Sequence, residues 1–141
     1  MSRRMKLATM SVLLLLALGG IASAQLGEIL KVGGVALLVT QYGKQINSAI
    51  NKVTKTPEDN PEFSTKVVPI LSGGDGKEIG AAQVMGPRDA VDKVKAVAQV
   101  EGKFNPLSLR FRALVPISAK SISSIKRVPG VGISGIIDVK F

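Results

Sequence analysis

The chain has no cysteine, no histidine and no tryptophan among its 141 residues. Without cysteine there is no disulfide, and no lipobox through which a lipid-anchored lipoprotein could be acylated. Without histidine a Ser-His-Asp triad is impossible, and the commonest general base and metal ligand are missing. The two absences together remove the usual zinc, haem and iron–sulfur sites, so no metal and no cofactor is expected. Aromatic residues are few: one tyrosine and four phenylalanines. Base-stacking platforms and sugar-stacking clefts need more, and nucleic acid is not an expected partner. The last scarcity is local. No Asp or Glu occurs between Glu101 and Asp138.

What is present starts with an export signal. Arg3, Arg4 and Lys6 precede an apolar run from Leu7 to Leu18, and Ala22-Ser23-Ala24 has the small-x-small pattern of a cleavage site. The expectation is a signal peptide over residues 1–24, removed to leave Gln25 to Phe141 in the periplasm or outside the cell. The uncharged stretch from Leu7 to Gly27 is also long enough for an uncleaved anchor, but Gly19-Gly20 and the cleavage pattern favour removal. Lys6 stands where a twin-arginine signal prefers an apolar residue, which favours the general secretory route. The leader takes three basic residues and no acidic one with it, so the net charge of +9 falls to +6. The remainder is one domain, long enough to be held by its core alone.

Apolar periodicity predicts an α+β fold. Residues 25–54 read as an amphipathic helix with Val35, Leu38, Tyr42, Ile46, Ala49 and Val53 on one face and a hinge at Gly33-Gly34. Residues 55–64 read as a polar linker, and residues 65–141 as a ββαββ domain packed with the helix. The first strand falls in "STKVVPILS", where Pro69 suggests a sheet edge. "GGDGK" is a turn into a second strand, "EIGAAQVM". "GPRDAVDKVKAVAQVEGKF" reads as the clearest helix, with Ala90, Val91, Val94, Val97 and Ala98 as its buried stripe and Gly102 as its stop. "LSLRFRALV" alternates, with Leu107, Leu109, Phe111, Ala113 and Val115 towards the core and Arg110 and Arg112 outward. "VGISGIIDVKF" alternates as a last strand, with Ile133, Ile137, Val139 and Phe141 inward. The expected sheet is small and antiparallel, with helices on one face.

Catalytic motifs fail on inspection. "GISGI" around Ser134 has Ile136 where a nucleophile elbow needs glycine. Ser123 and Lys126 have an acyl-transferase spacing but no partner motif. "GGDGKE" has Leu71 and Glu78 where a phosphate loop needs Gly and Ser or Thr. Asp89 with Asp92, and Glu58, Asp59 and Glu62, fit helix capping and solvation. No catalytic residue is assigned.

The acid-free stretch "RFRALVPISAKSISSIKR", residues 110–127, carries Arg110, Arg112, Lys120, Lys126 and Arg127. Arg110 and Arg112 lie about 7 Å apart along one strand face. If the Ser-rich loop folds back beside them, the five form an anion-binding patch. The alternative is a solvated face partly cancelled by Asp138 on a neighbouring strand. The tail "SIKRVPGVGISGIIDVKF" resembles the closing strands of SYLF-type lipid-binding domains in its glycine spacing. The longer glycine-rich core of that family is missing here, and the family is not assigned. Three functional readings follow. The first is an exported, non-catalytic envelope module that contacts anionic lipid or polymer through the basic strand and loop. The second is a self-associating structural subunit, a homo-oligomer joined through the edge near Pro69 and the apolar helix face. An enzyme is the third.

Overall fold

A computed structural model describes the backbone of residues 23–120 and 126–139, and the side chains of 34–120 and 126–139. The leader up to residue 22, Ser123 of the Ser-Lys pair, and Phe141 lie outside the described residues. The elements run α1 (Ser23–Thr54), β1 (Phe63–Ser72), β2 (Glu78–Pro87), α2 (Arg88–Lys93), β3 (Ala96–Phe104), a 3-10 turn (Asn105–Leu107), β4 (Leu109–Ile117) and β5 (Gly132–Ile137). The chain divides into two compact units, residues 1–59 with 141, and residues 60–140.

The described part of the first unit is α1 and the turn that follows it. Gly34 breaks the helical geometry of α1 with φ 67° and ψ −160°, a conformation open to glycine and closed to most residues. This is the hinge expected at Gly33-Gly34. Val35 and Leu38 are buried, but Val53, placed by periodicity on the same face, is 81% exposed. Buried Asn51 donates to Glu58 Oε2 at 3.0 Å, and Ser48 donates to Glu58 Oε1 at 3.3 Å. The helix ends with Lys55 at φ 58° and a bond from Thr56 N to Asn51 O at 2.8 Å, a left-handed stop without glycine.

The second unit is a curled five-stranded mixed sheet in the order β4-β3-β1-β2-β5. β1 and β2 form the expected antiparallel hairpin, from Phe63↔Pro87 to Leu71↔Glu78. Its turn is held by Asp75, whose Oδ1 accepts from Lys77 N at 3.0 Å; that bond lowers the Asp75 pKa. β5 pairs with β2 antiparallel, and Ile133 packs on the core.

Three expectations are corrected. The long helix over residues 86–104 is only the single turn and a half of α2; Val94 is already extended, and Ala96–Phe104 is a strand. Valines at three-residue spacing also satisfy a strand, because β-branched side chains favour it and both faces here are covered. Val97 enters one core cluster with Val68, Val84, Val91 and Val94. Ala96 and Ala98 enter another with Leu71 and Ile117. Consecutive burial of Ala96, Val97 and Ala98 is the mark of such a strand.

Second, the sheet is not purely antiparallel, because β3 runs parallel to β1 from Ile70↔Val97 to Ser72↔Gln99. Third, β1 is the central strand, not an edge. Pro69 is tolerated because the parallel register begins one residue later, so its missing N–H removes no bond there.

Two basic side chains pin α2. Arg88 donates to the carbonyls of Asn60, Pro61 and Phe63. Lys66 Nζ donates to Val94 O at 2.8 Å and Asp92 O at 3.4 Å, where partial burial and then Lys95 lower its pKa. Gly73 is pinned in another way. Its N–H donates to Gln99 O at 2.7 Å, and a Cβ added there would lie 2.7 Å from that same oxygen. Since the obstacle is backbone, Gly73→Ala is expected to cost about 1–3 kcal/mol in urea unfolding.

Candidate binding surface on the β3–β4 hairpin

Only the inner half of the β3–β4 hairpin lies in the body of the sheet. Nine pairs join the two strands, from Ala96↔Ile117 to Phe104↔Leu109, but β1 accompanies β3 only as far as Gln99. Beyond that point no third strand among the described residues pairs with β3. Burial follows this division. Ala96, Val97 and Ala98 are buried, as are Pro116 and Ile117, whereas Lys103 to Arg112 are exposed throughout.

Directly paired residues share a face, so the register sorts the outer half. Val100↔Ala113, Gly102↔Phe111 and Phe104↔Leu109 form one face, wholly apolar. Glu101↔Arg112 and Lys103↔Arg110 form the other. The apolar face continues the alternation that buries Ala96, Ala98 and Ile117, but none of the described residues of this unit covers it past Val100. The expectation that Leu107, Leu109 and Phe111 face the core is therefore corrected: they are 65%, 54% and 53% exposed. Phe111 lays its ring on the backbone of Gly102, where an added Cβ would fall 2.3 Å from a ring carbon. The aromatic thus covers the gap left by the missing side chain.

Glu101, Gly102, Lys103, Arg110, Phe111 and Arg112 line an open groove of about 520 Å³ on the outer hairpin, and its four charged side chains are Glu101, Lys103, Arg110 and Arg112. Among the described residues, these four side chains make no hydrogen bond or ion pair. Three cations against one carboxylate leave a local excess of two positive charges. The acid opposite Arg112 is Glu101, not Asp138, because the neighbour of β4 is β3.

The structure divides the five basic residues of the 110–127 stretch. Arg110 and Arg112 stand on the outer hairpin and are joined by Lys103 from the facing strand. Lys126 and Arg127 do fold back beside β4, but at its other end. Arg127 bridges Ile117, and Ser118 N donates to Lys126 O at 2.9 Å. Arg110 lies seven residues from that bridge, about 23 Å along an extended strand. Lys120 is exposed in the bend after β4. Lys103 went unassigned in the sequence because its segment reads as the end of a helix; only strand pairing sets it opposite Arg110.

Ser134 serves structure. Its hydroxyl donates to Gln83 Oε1 at 2.6 Å, satisfying a side chain that is only 2% exposed. No helix among the described residues is long and apolar enough to cross a membrane. No family model, curated protein or solved structure matches this chain.

Proposed function

We propose that the chain is a small exported, non-catalytic binding module of the cell envelope, and that its β3–β4 hairpin contacts an anionic lipid or polymer. One observation carries this reading: Lys103, Arg110 and Arg112 converge, unpaired, on an exposed hairpin end whose one acid is Glu101. Clustered cations of this kind attract any polyanionic surface, and the attraction is screened by salt. The test is co-sedimentation of the exported protein with anionic and with neutral vesicles, beside retention on an immobilised polyanion. Binding to the anionic partners at low salt is expected, with release near 1 M salt, where the Debye length is about 3 Å. Absence of binding to every anionic partner would sink the reading.

A second reading, the self-associating subunit, draws on the same hairpin. With Pro69 in the central strand, the sheet's edges are β4 and β5, and exposed Leu109 and Phe111 lie on the β4 edge. It would show as a concentration-dependent mass insensitive to salt.

A further inference from the structure

We infer that the anionic partner is a lipid bilayer, and that the hairpin tip inserts its apolar side chains into the headgroup–acyl boundary while its cations hold the phosphates. This inference rests on the reading of the hairpin as an anion-contacting surface and names which surface it is. Phe104, Leu107, Leu109 and Phe111 are each more than half exposed, and all belong to one hairpin end. Three of them, Phe104, Leu107 and Leu109, lie at the tip beyond Lys103 and Arg110, with Phe111 one step behind, and such a grouping is not explained by attraction to a soluble polyanion, which offers no hydrocarbon to receive it.

The arrangement along the hairpin fits a bilayer boundary. Phe104 and Leu109 lie one residue, about 3.4 Å, beyond Lys103 and Arg110 towards the tip. Leu107 lies beyond them in the turn. Apolar groups entering by about 5–10 Å would bring Lys103 and Arg110 to the headgroups, where long basic side chains keep their charge in the polar layer. Glu101, the one acid, stands opposite Arg112 in the strand register, further from the tip. Ser108 N donates to Asn105 O at 3.1 Å, and Pro106 has no N–H to desolvate.

Because the chain has no tryptophan, Leu107→Trp supplies a single reporter at the tip. On addition of vesicles containing phosphatidylglycerol its emission is expected to shift to the blue and to be quenched by brominated acyl chains. In parallel, a Phe104→Ser, Leu107→Ser variant is expected to bind those vesicles about tenfold more weakly, about 1.4 kcal/mol. The same variant should keep its affinity for soluble polyphosphate and its melting temperature, since both positions are exposed.

Salt-sensitive vesicle binding with unshifted emission and undiminished affinity of the serine variant would overturn insertion and leave the electrostatic reading standing. Equal weakening towards vesicles and polyphosphate would also overturn insertion. A blue shift without vesicles that grows with protein concentration would assign the apolar face to a second copy of the chain. Failure to bind either vesicles or polyphosphate would remove the electrostatic reading itself, and insertion with it.

Discussion

Replacing Lys103, Arg110 and Arg112 together by serine is expected to weaken binding to anionic vesicles by about two orders of magnitude. Each basic residue held near an anionic surface contributes about 1 kcal/mol, and three give about 3 kcal/mol. The matching double variant, Lys126→Ser with Arg127→Ser, is expected to change affinity less than about threefold. Those two residues flank the bridge at Ile117, about 23 Å along β4 from Arg110. At about 0.1 M salt the Debye length is about 10 Å, so charges at that remove hardly feel a surface held at the tip. Titrating vesicles at fixed ionic strength against both variants decides the matter. Equal losses from the two would mean that the whole basic stretch from 110 to 127 acts as one patch, and that the tip has no special part in binding.

That contrast could not be drawn from the sequence, for a physical reason. The acid-free stretch is visible as composition, and the alternation of "LRFRALV" correctly marks a strand with two arginines on one face. Composition does not say which end of a strand a returning loop will meet. Long-range pairing decides that, and it sets Arg127 opposite Ile117.

The β1–β2 hairpin was legible because its signals are local, with alternating apolar residues on either side of a glycine-rich turn. The Gly34 break was legible because glycine tolerates a geometry that few other residues adopt. By contrast, "AVDKVKAVAQV" satisfies a helical stripe and a two-sided strand equally well. Its valines are buried in either case, so the predicted core residues Val91, Val94 and Val97 hold although the element does not. The choice between the two forms lies in the parallel ladder to β1, a contact between segments far apart in sequence. Once that segment is a strand, Lys103 faces Arg110, and a hairpin with two chemically different faces replaces a helix and a lone strand.

Two apolar side chains at opposite ends of the β4 segment differ most in burial: Leu107, expected on the core face, is 65% exposed, and Ile117 is 0% exposed. Ile117→Ala is therefore expected to cost about 3 kcal/mol, whereas Leu107→Ala should stay within about 0.5 kcal/mol. Ile117 packs with Leu71, Ala96 and Ala98. Two of those neighbours are alanines, too short to move into the space that the lost atoms leave, so a cavity penalty adds to the lost transfer energy. Its backbone is committed as well. The carbonyl accepts from Lys95 N at 2.8 Å, and the residue bridges Arg127 where the returning chain meets β4. A yielding side chain at this junction would loosen both connections. For a unit of this size 3 kcal/mol corresponds to a fall in Tm of roughly 12–24 °C. Urea unfolding of the two variants beside the parent is the check. Similar losses at both positions would mean that the outer hairpin is covered like the inner one, and the surface assigned to binding would instead be core.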